Sequence, residues 1–193
     1  ITLEKAVSEN ANLQNADLRH TYLKGATLKG ADLRHAYLED ANLRNANLAN
    51  ANLEDAYLRG ADLQNANLEN SNLTNAILQN AYLRSSYLGF SNLQNADLTE
   101  AILKNANLTN ANLKNAYLKG AILGNAIFTN AKNYYSFTAY DTSKRCVHCI
   151  KHEKTWKIKA GCFWGTLKKL EEKVLSTHKS KVYLYNINLL KQL

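Results

Sequence analysis

Every cysteine of the chain lies towards its C-terminus, where Cys146, Cys149, His152 and Cys162 spell C-x2-C-x2-H-x9-C. Three thiolates and an imidazole are a donor set for structural zinc, and these four residues are the metal candidate. The local sequence argues the other way. "CVHCIK" is a β-prone run, and residues three apart on a strand point to opposite faces. The Gly or Pro that shapes a zinc knuckle is missing as well. Buried or half-buried structural cysteine is the larger expectation, with no cofactor. A nucleophile pair would join Cys149 or Cys162 to His148, His152 or His178, but no third group orients the base and no oxyanion site is in view. No phosphate loop or paired-carboxylate motif occurs elsewhere, so the chain is expected not to be an enzyme.

The same segment could bind nucleic acid. Lys144, Arg145, Lys151, Lys154, Lys157 and Lys159 surround Trp156, and cations around an aromatic suit a single strand. The plainer account is a solvated lysine-rich surface. "CVHCIK" and "TWKIKA" flank "HEK" and are predicted to form a hairpin that would hold these groups. Thr166 is placed to cap a helix over "LKKLEEKVLSTH", with Leu167, Leu170, Val174 and Leu175 on one face. "VYLYNINLLKQL" reads as a second short helix. Tyr134, Tyr135, Phe137 and Tyr140 are expected to plug the open end of whatever precedes them.

What precedes them is a five-residue beat running from Ile1 to Asn130 without insertion or deletion, 26 pentads in all. Leu holds the third position in 24 of them, and Ala the first in 21. The fifth is Asn in 14 and Gly in 4. Five residues advance about 500° on an α-helix, so the leucines would form no stripe. On a strand an odd step sends them to alternate faces. Only a chain that turns once per pentad keeps every Leu on one side. Asn and Gly at the fifth position tolerate the φ > 0 that a type II turn needs.

The pattern A-(N/D/Y)-L-x-(N/G), as in "ANLEN" and "ADLQN", resembles the pentapeptide-repeat proteins. The resemblance covers about two-thirds of the chain. It implies a right-handed quadrilateral β-helix of four pentads per coil, with Leu and Ala inside. The tail's hairpin and one or two helices would follow it as a small α+β C-terminal module. At ~4.8 Å per rung the repeat would be a rod roughly 30 Å long. The stretch "KIKAGCFWGTLKKLEEKV" is similar to a small module that follows such repeats in some phage and prophage proteins, and no activity comes with that likeness. The expected division is residues 1–135 for the β-helix and 136–193 for the basic module.

With four pentads per coil, residues twenty apart stack in columns. Asn12, Asp32, Asn52, Asn72, Asn92 and Asn112 suggest a side-chain amide ladder. Asp17, Tyr37, Tyr57, Ile77, Asp97 and Tyr117 give an outward strip, and Tyr37, Tyr57, Ile77 and Tyr117 are a candidate contact for a protein partner or a second copy. The plainer alternative is stacking that stabilises the sheet face. Lys24, Arg44, Arg84 and Lys104, interrupted by Gln64, form a basic ladder suited to an acidic partner; long side chains splaying into solvent would account for it too. Phe90 in "SSYLGFSNL" stands in a turn slot, as a binding knob or a docking point for the tail.

Net charge is +8 for the chain, but residues 1–130 carry 11 basic against 12 acidic residues and residues 131–193 carry 13 against 4. The resemblance brings to mind DNA-mimicking members that protect gyrase, yet mimicry needs acid gathered along one face, and this rod is near neutral. Gyrase protection is therefore disfavoured. No apolar run reaches the ~20 residues of a membrane span. With no Met in the chain, Ile1 is not expected to be the translation start, and a leader ahead of it stays open. Three cysteines without a secretory signal point to a reduced cytoplasmic setting. The expected function is a non-enzymatic protein-interaction scaffold, in its narrowest form a phage-encoded protein that binds and inhibits or sequesters a host protein in the host cytoplasm. The alternative is a nucleic-acid binder acting through the basic module.

Overall fold

The computed structural model describes residues 10–138, 146–152, 155–160, 163–166, 168–172, 187–188 and 191. The chain divides into two compact units, Ile1–Lys132 and Asn133–Leu193. No helix among the described residues is long and apolar enough to cross a membrane.

In the first unit the turn chemistry sets everything else. Every fifth position from Asn10 to Asn130 has φ between 55° and 72°, whether Asn, Gly, His, Asp, Ser, Glu or Phe. From Asn15 to Asn125 each such residue is third in a turn closed by a hydrogen bond from the next first-position N–H to the preceding Leu carbonyl, as in Ala36 N to Leu33 O at 3.1 Å. The chain therefore swings once per pentad, and four swings return it above its start. Parallel bridges then join residues twenty apart, from Asn12 with Asp32 to Asn112 with Lys132, four columns in all. Each bridge uses two backbone bonds: Asn52 N donates to Ala31 O at 2.9 Å, and Leu33 N donates to Asn52 O at 2.7 Å. The fifth-position N–H is used as well, His35 N reaching Glu54 O at 3.0 Å.

Inside this frame the third-position leucines from Leu18 to Leu123 are buried, and so is the first position from Ala26 to Ala121. Ser71, Ser86 and Ser91 take alanine slots without leaving a buried hydroxyl unpaired. Their Oγ atoms donate to Leu68 O, Leu83 O and Leu88 O at 2.7–2.8 Å.

Second-position Asn and Asp have a local task that the column reading did not anticipate. Their Oδ1 accepts the backbone N–H two residues on, as Asn67 does from Glu69 at 2.9 Å and Asp97 from Thr99 at 2.9 Å. This Asx bond satisfies the fourth-position N–H at the start of the turn. The expected amide ladder is broken: Asn72 donates to Asn52 and Asn112 to Asn92, but Asn92 turns to Thr74 Oγ1 and Asp32 is taken by Arg34. A more regular ladder runs along a corner, where Asn75, Asn95 and Asn115 donate in turn to Asp55, Asn75 and Asn95.

Two of these carboxylates make stability depend on pH. Asp17, doubly bonded to Arg19, is held at about 2. At Asp97 burial pushes the pKa up, but hydrogen bonds from Thr99 and Gln79 outweigh it and hold the group below its usual value. A pKa depressed on folding contributes stability above the unfolded value of about 4, lost as pH falls through the folded one. The melting temperature is therefore expected to fall from about pH 4 downwards. Asp97→Asn keeps the Asx acceptor but loses the charge and the Oδ2 that accepts from Gln79, so calorimetry across that range is expected to show a shallower fall.

The second unit is a four-stranded antiparallel sheet of β1 (Tyr134–Thr138), β2 (Cys146–His152), β3 (Thr155–Ala160) and β4 (Phe163–Thr166), in that order. β2 and β3 pair with Lys151 opposite Trp156 and His148 opposite Lys159. Thr166 Oγ1 accepts from Lys169 N at 3.3 Å as residues 168–172 turn helical. Leu170 and Ile187 are buried, and Lys191 Nζ reaches Glu171 at 2.8 Å. Tyr134, Tyr135 and Phe137 belong to β1, whose backbone pairs with Cys146–Ile150, so their segment is a sheet strand. That pairing is why the unit begins at Asn133. Tyr140, read with them as a plug, lies outside the described residues.

Candidate interaction surface

The outward strip is assembled as a column, with bridges from Asp17 through Tyr37, Tyr57, Ile77 and Asp97 to Tyr117. Its N-terminal half is largely satisfied within itself. The Tyr37 and Tyr57 rings stack at 5.1 Å and 8°, and the Arg19 guanidinium sits 5.7 Å from the Tyr37 centroid. Such contacts contribute roughly 0.5–1.5 kcal/mol beyond burial. Ile77 is half-buried; Tyr117 stands exposed.

The basic ladder follows the same twenty-residue stacking, and one member is neutralised. Arg44 Nη1 approaches Asp62 Oδ2 at 3.4 Å. Lys24, Arg84 and Lys104 are exposed, with no acid in ion-pair range among the described residues.

Alongside that ladder lies a column that the sequence reading passed over. Tyr22, Asn42, Asp62, Tyr82, Ile102 and Ile122 bridge one to the next, and Tyr22, Tyr82 and Ile122 are exposed. On the adjacent face Tyr87 and Ile127 are exposed, and Phe90 at the following corner is, at 63%, the most exposed large apolar residue among those described. The signal was available. A Tyr or Ile at the second position supplies no Asx acceptor to its turn, so each departure from Asn or Asp gives up a local bond.

In the second unit, Cys146, Cys149 and His152 lie on β2, and Cys149 is buried. Among the described residues no group of three or more His, Cys, Asp or Glu is close enough to hold a metal; Cys162 lies outside them. Lys151, Trp156, Lys157 and Lys159 fall on the β2–β3 pair. Lys144, Arg145 and Lys154 lie outside the described residues.

The family model of pentapeptide repeats matches the chain in eight copies, among them residues 11–50, 36–75, 51–89, 76–115 and 91–130. The chain belongs to the pentapeptide-repeat family. Pentapeptide-repeat proteins form right-handed quadrilateral β-helices, and four bridge columns per coil are that form. HetL, a pentapeptide-repeat protein involved in heterocyst differentiation regulation in the cyanobacterium Nostoc, is 30% identical, over 64% of this chain and 73% of its own, at a TM-score of 0.42. Rfr23 from the cyanobacterium Cyanothece is 32% identical over 67% of this chain and 88% of its own, at 0.30. QnrB1, a plasmid-mediated fluoroquinolone resistance protein, is 20% identical over 62% of this chain and 65% of its own, at 0.48. A comparison with curated protein sequences returned no match.

Proposed function

We propose that this pentapeptide-repeat protein is a non-enzymatic interaction scaffold that binds, and thereby sequesters or inhibits, a protein partner. The observation that carries the reading is the set of exposed Tyr and Ile side chains at second positions, on a frame whose turns are otherwise held by Asn and Asp. A frame with its backbone paired coil to coil loses little freedom on binding, which favours affinity. Tyr37, Tyr57, Ile77 and Tyr117 and the ladder of Lys24, Arg44, Arg84 and Lys104 are the contact groups read first. A phage-encoded inhibitor of a host protein is the narrower form of the proposal, and it draws only on the likeness of "GCFWGTL" to phage modules. Gyrase protection by DNA mimicry is not proposed. Asp17, Asp32 and Asp62 are paired with Arg19, Arg34 and Arg44, which leaves no continuous acidic face along those columns.

One observation favours a second reading. The β2–β3 register pairs Lys151 with Trp156, a cation opposite an aromatic that suits a nucleic-acid strand. One experiment separates the two. The full chain, immobilised in nuclease-treated bacterial lysate, is expected to retain one polypeptide in stoichiometric amount. Retention of nucleic acid alone before nuclease treatment, with affinity falling steeply as salt rises, would replace the scaffold reading by the second.

A further inference from the structure

We infer that the C-terminal coils of the solenoid carry a docking surface for an acidic polypeptide segment bearing large apolar side chains. The surface is formed by Tyr82, Ile102 and Ile122 on one face and Tyr87, Phe90 and Ile127 on the next. The inference rests on the scaffold reading and adds to it a place and a partner chemistry.

Most of the apolar groups lie towards one end of two adjacent columns. The first runs Tyr22, Asn42, Asp62, Tyr82, Ile102, Ile122, with Tyr22 alone at the far end; the second runs Thr27, Asn47, Asn67, Tyr87, Asn107, Ile127, with Asn107 between its two apolar members. The turn residues Arg84 and Ser85, Lys104 and Asn105, and Gly124 and Asn125 stand between the two faces.

Phe90 is the least expected of the group. It occupies a left-handed turn position, φ 58°, where most of its counterparts are Asn. A bulky L-residue is strained there, and an exposed ring recovers little of that by burial. Strain kept at an exposed aromatic argues for a use outside the fold.

Charge selects the occupant. Arg84 and Lys104 run beside Tyr82, Ile102 and Ile122 with no acid in ion-pair range among the described residues, and the column's own acid, Asp62, is taken by Arg44. A second copy would bring the same cations face to face. Residues 131–193 are no better matched, with 13 basic residues against 4 acidic. An acidic partner meets both the apolar groups and the cations. Tyr82, Tyr87 and Phe90 carry rings on which a base could stack, but Ile102, Ile122 and Ile127 carry none, so apolar side chains match more of the surface than nucleobases do.

Panning a displayed library of random short peptides on the full chain reads this chemistry directly. The enriched peptides are expected to be net acidic, with large apolar residues. Their affinity is expected to fall at least about tenfold on Ile122→Asn, on Arg84→Gln and on Phe90→Asn. Each variant installs a residue found at the same pentad position elsewhere in the repeat, so folding is preserved. Phe90→Asn is also expected to raise the melting temperature by about 2–4 °C, the opposite of what a structural role for the ring predicts. Basic or absent enrichment, or affinities unchanged in all three variants, overturns the proposal. Acidic peptides lost on Tyr57→Asn instead would overturn this surface and leave the scaffold reading standing. Capture of oligo-dT in place of peptide would overturn both.

Discussion

Leu63→Ala is expected to destabilise the solenoid by about 2–5 kcal/mol, a fall of roughly 5–15 °C in melting temperature. Leu63 has no exposed surface, and its N–H is bonded to Tyr82 O at 2.8 Å. The leucines one coil before and after, Leu43 and Leu83, are equally buried. Truncation opens a void that paired backbone on every side of the coil prevents from collapsing, and this places the cost towards the upper end. Solenoid stability is a sum over neighbouring coils, so position matters. Leu18, in the first described turns and 8% exposed, is expected to lose less than half as much on the same truncation. Equal losses at both sites by calorimetry would mean that the leucine ladder does not act as one continuous core.

Asn70→Pro is expected to be as damaging, by about 3 kcal/mol or more, and for a different reason. Asn70 sits at φ 58°, whereas proline is fixed near −65°. The substitution also removes the N–H that donates to Gly89 O at 2.9 Å. Asn70→Gly is the control. Glycine takes positive φ freely and already does so at Gly25, Gly30, Gly60 and Gly120, so its melting temperature is expected within about 2 °C of the parent. A large loss with glycine as well would show that the Asn side chain, and not the left-handed backbone, holds this corner.

Much of the fold was legible because each pentad position answers to one physical demand. Leu at the third fills the interior, Ala or Ser at the first lets the next coil approach, and Asn or Gly at the fifth takes positive φ. The chemistry of the second position was harder to see. Reading Asn12 to Asn112 as a column across coils hid the shorter contact along the chain, from Asn67 to the N–H of Glu69. The partial neutralisation of the basic ladder was missed for a related reason, since Arg44 reaches diagonally to Asp62 in the neighbouring column. In the second unit the β2–β3 hairpin could be read from adjacent β-prone runs. The pairing of β1 with β2 could not, because nothing local in "YYSFT" marks its partner as Cys146–Ile150. The Tyr82, Ile102 and Ile122 column was open to the same twenty-residue reading as the Tyr37 strip and was passed over for the more aromatic one.

Once the Asx bond is recognised, the exposed second positions separate into two kinds. Asn and Asp serve the turn that follows them, whereas Tyr and Ile supply no such acceptor and present apolar surface to solvent. Tyr37 and Tyr57 recover part of this by stacking on each other. Tyr82, Tyr117 and Ile122 stand more exposed, at 45–51% against 37–41% for the stacked pair. On this account those side chains are kept for a partner, in the way that proteins commonly hold function at some expense of stability.

The most direct measurement pairs thermal unfolding with lysate capture for one variant of the full chain, in which Tyr82, Ile102, Ile122 and Tyr117 are all replaced by Asn. The account predicts a melting temperature within about 5 °C of the parent and loss of the captured polypeptide. A fall well beyond that range with capture undiminished would contradict it, because the four side chains would then serve the fold and the partner would bind elsewhere.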